Sequence, residues 1–211
     1  RFPGKPLKKI LGLPMIEHVR RRALMCREID KVVVATCDKE IYDLVLKYGG
    51  ECLMTSKSHN TCIDRVGEVV GKIDSDVIIN LQGDMPLVDP NSLTDLIEEL
   101  KKNNEIKCVD LTSPILKQEE ANDINVVKVV NDKNYFALYY SRSPIPAMHP
   151  GSKNKVNFLK QLGINIFKKD LLLKFLGLSQ SPLEKIESID MLRLLENNFK
   201  VKLIKSYSPS I

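Results

Sequence analysis

Two cations flank a proline-glycine turn at the start of the chain. The run RFPGKPL places Arg1 and Lys5 on either side of Pro3 and Gly4. A loop of this composition can hold a chain of phosphates, because lysine and arginine neutralise the charge and glycine lets backbone N–H groups approach it. A proline-rich surface turn with solvated charges is the commoner outcome for so short a motif. We treat the run as a candidate phosphate-binding loop.

A carboxylate follows an apolar run in the middle of the chain. Gln82 and Asp84, in the motif QGDMP, come directly after the run from Asp76 to Leu81. Ligands of parallel α/β sheets bind beyond the carboxyl ends of the strands, where a carboxylate is a suitable ligand for Mg²⁺ that bridges nucleotide phosphates. An Asx turn that ends the strand is the competing interpretation. The position predicts that Asp84 binds Mg²⁺.

Two further polar residues stand at the ends of predicted elements. Arg142 lies in SRSPIP, at the end of an aromatic strand, where its guanidinium can bind a carboxylate through two hydrogen bonds. An exposed arginine at a strand end is the ordinary alternative. Glu184 closes the motif SPLE, which is a capping box with proline at the first helical position. For Glu184 the pattern alone indicates a structural role.

The sequence argues against zinc chemistry and covalent catalysis. The three histidines are not spaced as metal ligands, and no nucleophile motif such as GxSxG occurs. The five cysteines include no CxxC pair, which indicates neither a zinc knuckle nor a disulfide framework. Unpaired cysteines fit a reducing compartment, so we expect a cytoplasmic protein.

Composition and charge restrict the class of protein further. Of 211 residues, 43% are hydrophobic and 28% are charged, which is typical of a globular protein. The net charge of +5 comes from basic residues scattered among acidic ones, without a basic stripe studded with aromatic residues. No apolar run has the length of a membrane span, and no signal pattern opens the chain. We therefore expect neither nucleic acid nor a membrane as a partner.

The apolar pattern predicts the elements that position these residues. The runs Lys31 to Thr36 and Asp76 to Leu81 are too uniformly apolar for half-exposed strands, so we expect buried parallel strands that are neighbours or near neighbours. Helices with Asp38 and Asp89 as caps follow them, the first stopped by Gly49. The alternation predicts an α/β fold: a mostly parallel sheet with helices on both faces.

The later part of the chain has a different pattern. From residue 125 to 167, short strand-like runs joined by loops predict a small antiparallel lobe embedded in a single domain of residues 1–211. Both ends look truncated, because turn chemistry opens the chain without a preceding strand and a strand-like run nearly closes it. We expect further ordered sequence at both termini.

Taken together, the motifs resemble one family. Their order and spacing over essentially the whole chain are similar to 3-deoxy-manno-octulosonate cytidylyltransferase, the CMP-Kdo synthetase. The matching runs are RFPGKPL, HNTCIDR, INLQGDMP, NVVKVVNDKNYFALYYSRSPIP, QLGINIF and SPLEKIESIDMLRLL.

The resemblance implies a fold, a reaction and partners. The fold would be that of the nucleotide-diphospho-sugar transferases, and the antiparallel lobe would bind sugar and form a homodimer. The reaction would join CTP to the sugar acid Kdo with Mg²⁺ as cofactor, giving CMP-Kdo for lipopolysaccharide synthesis and releasing pyrophosphate.

The resemblance also implies site residues. Lys5 and Asp84 would be catalytic, with Asp84 as the metal ligand. The nucleotide would be bound by Arg1, Lys5, Arg65 and Gln82, and the sugar acid by Gln82, Arg142, Gln161 and Glu184.

Four positions depart from the family pattern. Cys62 and Ile63 stand where the family loop has glycine and threonine, Gln161 replaces a histidine, and Asn165 replaces a tyrosine. The alternatives are a cytidylyltransferase for another sugar acid, such as a sialic-acid-like sugar, and a nucleotide-binding protein without turnover. A nucleic-acid-binding module is a third, and would bind polynucleotide with a steep dependence on salt.

Overall fold

Short apolar runs form the strands of the structure, a computed structural model that describes residues 4–59, 61–152 and 156–206. A 3-10 helix at Lys5–Leu7 comes first. The strands are β1 (Lys9–Ile10), β2 (Leu13–Pro14), β3 (Val33–Thr36), β4 (Glu51–Met54), β5 (Val77–Asn80), β6 (Cys108–Pro114), β7 (Lys128–Asn131), β8 (Ala137–Ser141), β9 (Leu159–Lys168) and β10 (Lys202–Lys205). The helices are α1 (Met15–Ala23), α2 (Lys39–Lys47), α3 (Cys62–Val70), α4 (Pro90–Lys102), α5 (Gln118–Asn122), α6 (Lys169–Leu176), α7 (Pro182–Glu187) and α8 (Met191–Glu196).

The main sheet is mixed. It has six strands in the order β10-β6-β9-β7-β8, with β5 paired to β9. Strand β10 is parallel to β6, whereas β9 is antiparallel to β5, β6 and β7. The predicted α/β fold is confirmed, but the sheet is less parallel than predicted. The reason is β9, which runs between β5 and β6 in the opposite direction and so separates two strands that point the same way.

The two predicted strands of the first half are present, with one edge each left open. The run from Lys31 forms β3, which pairs in parallel with β4, and the run from Asp76 forms β5. In the described residues no ladder joins β3 to β5. A largely apolar cleft of about 650 Å³ lies between them, lined by both strands. Val77 is 40% exposed for that reason, although the sequence predicts a fully buried strand.

The predicted helix caps are confirmed. Asp38 accepts a hydrogen bond from the backbone N–H of Glu40 at 2.8 Å and begins α2. Asp89 accepts one from Asn91 at 3.0 Å and begins α4, with Pro90 at its first position. These caps satisfy backbone donors that have no partner within a helix. They fix where each helix leaves the preceding strand.

The antiparallel region is continuous with the main sheet. Strands β7 and β8 form an antiparallel pair, and the first residues of β9 pair with β7. The rest of β9 pairs with β5 and β6. Antiparallel pairing between residues 125 and 167 is therefore present, while a sugar-binding and dimer-forming role for this region stays a prediction.

Helices cover both faces of the sheet. Alternate residues of β9 point to opposite faces, so Ile166 packs in the cluster that contains α4 and Phe167 in the cluster that contains α3, α6 and α8. Both residues are fully buried. Within the described ranges, no helix has the length and apolar character needed to cross a membrane.

Candidate active site

Lys5 and Asp84 meet at the carboxyl end of β5. The Lys5 ammonium donates a hydrogen bond to Oδ2 of Asp84 at 2.8 Å. Lys5 follows Gly4, whose φ of 65° lets the chain turn into the 3-10 helix, and Asp84 lies in the turn after β5. Their side chains are 45% and 40% exposed, so both remain accessible. The structure thus brings together the two predicted catalytic residues.

Helix α3 brings Arg65 to the same side of the fold. A capping box of Thr61 and Asp64 begins this helix. Arg65 donates through Nη1 to the Thr55 hydroxyl and, at 3.2 Å, to the Ser56 carbonyl, both in the loop after β4. These hydrogen bonds join Arg65 to the loop.

Cys62 links this helix to Asp84. Its thiol donates to Oδ1 of Asn80 at 3.3 Å, and the charges of Arg65 and Asp84 both act on it. Although part of the residue is exposed, the thiol faces inward, and its burial raises the pKa of Cys62 to about 11. Cys62 is therefore protonated at neutral pH and is no nucleophile. The bond from Cys62 to Asn80 places the first turn of α3, which carries Arg65, at the carboxyl end of β5 that leads to Asp84.

Gln82 lies over β9. Gly163 has a φ of 73°, and a Cβ atom on it would be 3.2 Å from Nε2 of Gln82. The missing side chain at Gly163 lets the exposed Gln82 approach the strand backbone. Gln82, predicted to bind nucleotide and sugar, is thus near the strand that carries Gln161 and Asn165.

A buried polar row crosses three strands below this point. Asn80 of β5 and Asp110 of β6 are both register partners of Asn165 in β9. Asn80 donates to Oδ1 of Asn165 at 3.1 Å, and the Tyr140 hydroxyl donates to Oδ2 of Asp110 at 2.8 Å. All four are at most 4% exposed. The departure at Asn165 is thus part of a connected buried network.

Two acids have raised pKa values: Asp110 in this row, and Asp190 before α8. Burial raises the pKa of Asp110 to about 8, against the opposing effects of the Tyr140 hydroxyl and the Gln161 amide. Oδ1 of Asp110 has no well-formed hydrogen bond within the described residues. Burial, and then the charge of Glu184, raises the pKa of Asp190 to about 6. Asp110 is therefore largely protonated at neutral pH, whereas Asp190 is mostly ionised there and takes up a proton near pH 6.

Asp190 is a candidate residue that the sequence analysis missed. It precedes the short helix α8 without capping it through its side chain, and its charge acts on the thiol of Cys62 as well as on Asp110. Its position inside the matching run SPLEKIESIDMLRLL was the available signal. The family resemblance assigned sugar binding in this run to Glu184 instead.

Arg142 is engaged with backbone carbonyls. Its guanidinium donates to the carbonyls of Glu187, Ile124 and Ser188, the last two at 2.9 and 3.2 Å. The backbone N–H of Arg142 donates to the Glu187 carboxylate at 2.8 Å. A ligand carboxylate would have to compete with these bonds. The contacts show an anchor between the end of β8 and the end of α7, and sugar binding by Arg142 stays a prediction.

Glu184 is enclosed by protein. It is 2% exposed, accepts from the backbone N–H of Ser181 at 3.1 Å and accepts from Nε of Arg193 at 2.7 Å. This confirms the capping box and adds a buried ion pair. With both carboxylate oxygens engaged, Glu184 presents no open face, and its predicted contact with the sugar acid stays untested.

The metal prediction rests on Asp84 among the residues that the structure describes. In those ranges, no group of three or more His, Cys, Asp or Glu side chains could hold a metal ion. Mg²⁺ often binds through one or two protein carboxylates together with substrate phosphates, and a single accessible Asp84 fits that pattern. Arg1, predicted to bind the triphosphate, lies outside the described residues.

Comparison with known proteins gives a consistent result. The sequence profile described as cytidylyltransferase matches residues 1–204. The 3-deoxy-manno-octulosonate cytidylyltransferase of Syntrophotalea carbinolica is 42% identical over 98% of this chain and 85% of the relative, and that of Fusobacterium nucleatum is 42% identical over 98% and 83%.

A solved structure agrees with the sequence relatives. It is described as CMP:2-keto-3-deoxy-manno-octonic acid synthetase complexed with CTP. It superposes with a TM-score of 0.93 at 36% identity, covering 100% of this chain and 87% of that one. Identity at this level over nearly the full length of this chain establishes that it belongs to the 3-deoxy-manno-octulosonate cytidylyltransferase family.

Proposed function

We propose that the protein transfers CMP from CTP to the anomeric hydroxyl of Kdo and releases pyrophosphate. The observation that carries this proposal is the accessible pair of Lys5 and Asp84 at the carboxyl end of β5. The relatives named for this reaction and the related structure solved with CTP support it. A cation and a hard oxygen ligand side by side suit a triphosphate that arrives with Mg²⁺.

The chemistry of such a transfer is mostly positioning and charge neutralisation. The anomeric oxygen of the sugar acid attacks the α-phosphorus in line, the new P–O bond forms, and the bond to pyrophosphate breaks. Lys5 would neutralise phosphate charge as it builds on the leaving group. Asp84 would hold Mg²⁺, which supplies further charge neutralisation when bound.

The sugar acid would lie on the other side of the α-phosphorus. We place it above the polar row, near Gln82 and the β9 residues Gln161 and Asn165. The two β9 residues depart from the family pattern, and Asn165 is tied to Asn80 and Asp110 through the row. This altered network supports a second candidate function, transfer of CMP to a related sugar acid.

We further propose that the protein forms a homodimer, lies in the cytoplasm and supplies CMP-Kdo for lipopolysaccharide synthesis. Strand β8 lies at an end of the main sheet and carries Leu138, which is 61% exposed. The N–H of Ala137, the first residue of β8, already bonds to the Val201 carbonyl at 2.9 Å, so a second copy would pack on the part of the strand that follows and cover Leu138. Free cysteines within the described residues support a reducing compartment. Sedimentation of the protein as a monomer at micromolar concentration would contradict the dimer.

A pyrophosphate-release assay tests the reaction. The protein is supplied with Mg²⁺, CTP and either Kdo or a panel of other 2-keto sugar acids. Release that requires both CTP and Kdo is the expected result. Release with another sugar acid alone would favour the second candidate, and CTP binding without release from any acceptor would contradict the enzyme.

A further inference from the structure

One residue of the loop after β4, Ser56, is held by α3 through the peptide groups on both of its sides. The backbone N–H of Ser56 donates to Oε2 of Glu68 at 2.8 Å, and its carbonyl accepts from Arg65 at 3.2 Å. Arg65 and Glu68 are three residues apart, so they lie on the same side of the helix. Ser56 is thus fixed by one cation and one anion of the same helix.

The same carboxylate holds a second point of the loop. Nε2 of His59 lies 2.7 Å from Oε2 of Glu68. An ionised carboxylate only accepts hydrogen bonds, so Nε2 carries the proton and the ring is held in one orientation. The Ser56 N–H, followed by His59 and Lys72, lowers the pKa of Glu68 to about 2. Glu68 is therefore charged at neutral pH.

The loop fixed in this way borders the candidate site. It begins at the carboxyl end of β4, where the Thr55 N–H donates to the Thr36 carbonyl of β3 at 2.9 Å and the Thr55 hydroxyl accepts from Arg65. Arg65 is one of the residues predicted to bind the nucleotide. The loop from Thr55 to His59 consequently lies at the ends of two strands and in direct contact with a predicted nucleotide-binding residue.

We propose that Glu68 is a positioning residue for the nucleotide, because it holds the backbone of Ser56 and the ring of His59 in place before CTP binds. The proposal rests on the proposed function, since it assigns this loop to the CTP side of that site. A loop that is already ordered loses little further conformational entropy when the ligand binds, so the ligand binds more tightly. Glu68 itself would not touch the nucleotide.

A purely helical role for Glu68 is the competing explanation. Its Oε1 accepts from Lys72 at 2.9 Å, in a pair spaced by four residues on the surface of α3. Pairs of this kind contribute little to stability. Lys72→Ala removes this contact and leaves those to Ser56 and His59, so it is the matched control for Glu68→Gln.

The experiment is a calorimetric titration of each full-length protein with CTP and Mg²⁺. We expect Glu68→Gln to weaken CTP binding by about ten-fold or more, as for loss of a charged hydrogen bond. Lys72→Ala should stay within about two-fold. In turnover assays Glu68→Gln should raise the KM for CTP while kcat at saturating CTP changes by less than about three-fold, since no group at the reacting atoms is altered.

Amide hydrogen exchange at Ser56 in the free protein provides a readout that does not depend on activity. Faster exchange in Glu68→Gln together with weaker CTP binding supports the proposal. Faster exchange with unchanged CTP binding, or equal losses in Glu68→Gln and Lys72→Ala, overturns it. Wild-type protein that binds CTP but transfers CMP to no sugar acid would contradict the proposed reaction alone. Wild-type protein that does not bind CTP would overturn both.

Discussion

Carboxylates in two regions of this molecule have opposite ionisation. On the nucleotide side, N–H donors from Ser56 and His59 lower the pKa of Glu68 to about 2. On the interior wall, burial raises the pKa of Asp110 to about 8 and that of Asp190 to about 6. The same chemical group is thus fixed as an anion at Glu68, held neutral at pH 7 at Asp110, and brought closer to neutral pH in its titration at Asp190.

The difference shows what each region can do. A charged carboxylate held by donors is a fixed anchor or, where it remains accessible as at Asp84, a ligand for a cation. A protonated carboxyl can donate a hydrogen bond and places no negative charge near an anionic substrate. Accessible charge is therefore found at the proposed phosphate site, in Lys5 and Asp84. Behind the proposed sugar site, the buried Asp110 is a neutral hydrogen-bonding group.

The largest expected effect belongs to Asp84. Asp84→Asn keeps the shape of the side chain and removes the charge that would hold Mg²⁺, so we expect turnover to fall by about 10²–10³-fold. Pyrophosphate release at saturating CTP and Kdo, measured across a range of Mg²⁺ concentrations, provides the test. Turnover within a few-fold of wild type would remove Asp84 from the metal site and weaken the contrast between the regions.

Lys5 should follow with a smaller effect. Lys5→Met keeps most of the side-chain length and removes the ammonium, so we expect kcat/KM for CTP to fall roughly 10- to 100-fold, as for loss of a charged hydrogen bond to phosphate. Lys47→Met, at the end of α2, is a matched control. Equal effects of the two substitutions would show that Lys5 acts only through net charge.

Asp110 should control how stability depends on pH. Its pKa is raised from an ordinary 3.8 to about 8, so between these values the folded protein holds a proton that the unfolded chain releases. Stability should therefore fall as pH rises from about 4 to 8. Asp110→Asn removes this titration, and we expect the variant to be more stable than wild type by about 1–2 kcal/mol at pH 8, with less difference at pH 5.

Urea unfolding at pH 5, 6.5 and 8 measures that slope. Asp190 still titrates in the variant and contributes a slope of the same sign up to about pH 6, because its pKa is raised as well. The slope that remains in the variant is therefore confined to pH values below about 6, whereas wild type should continue to lose stability up to about pH 8. Parallel stability curves for the two proteins across all three pH values would show that Asp110 is ionised in the fold.

The smallest effect is expected at Arg142. Lys at this position cannot reach the carbonyls of Ile124, Glu187 and Ser188 together, so Arg142→Lys should lower stability by about 1 kcal/mol. If Arg142 also binds the sugar acid, as predicted, the Kdo constant should weaken as well. Thermal unfolding and a Kdo titration test the two expectations, and lower stability with an unchanged Kdo constant would leave Arg142 with the anchoring role alone.

Local patterns predicted the elements well. The caps at Asp38 and Asp89 and the β-branched strands depend on neighbours in sequence, and the structure has them. Strand pairing depends on residues far apart: nothing in the run QLGINIF indicates that β9 lies between β5 and β6. The overestimated share of parallel pairing has this origin.

The site was predicted unevenly for a similar reason. Lys5 and Asp84 were found because turn and strand-end signals mark them directly, and the structure places them 2.8 Å apart. Asp110 and Asp190 carry no local signal, since their raised pKa values come from burial that only the folded chain creates. Glu68 is similarly unremarkable in sequence until Ser56 and His59 are seen to meet it.

Helix α3 has a residue without a side chain at its contact with α6. A Cβ on Gly67 would lie 2.3 Å from a methyl carbon of Leu176, so the gap is already filled from the other helix. Any larger residue at 67 must displace Leu176 or tilt α3, and a tilt would carry Arg65 and Glu68 with it. Paired substitutions at positions 67 and 176 would therefore change the tilt of α3, and with it the positions of Arg65 and Glu68. Directed evolution of nucleotide preference could use these two positions, although neither residue contacts the proposed nucleotide site.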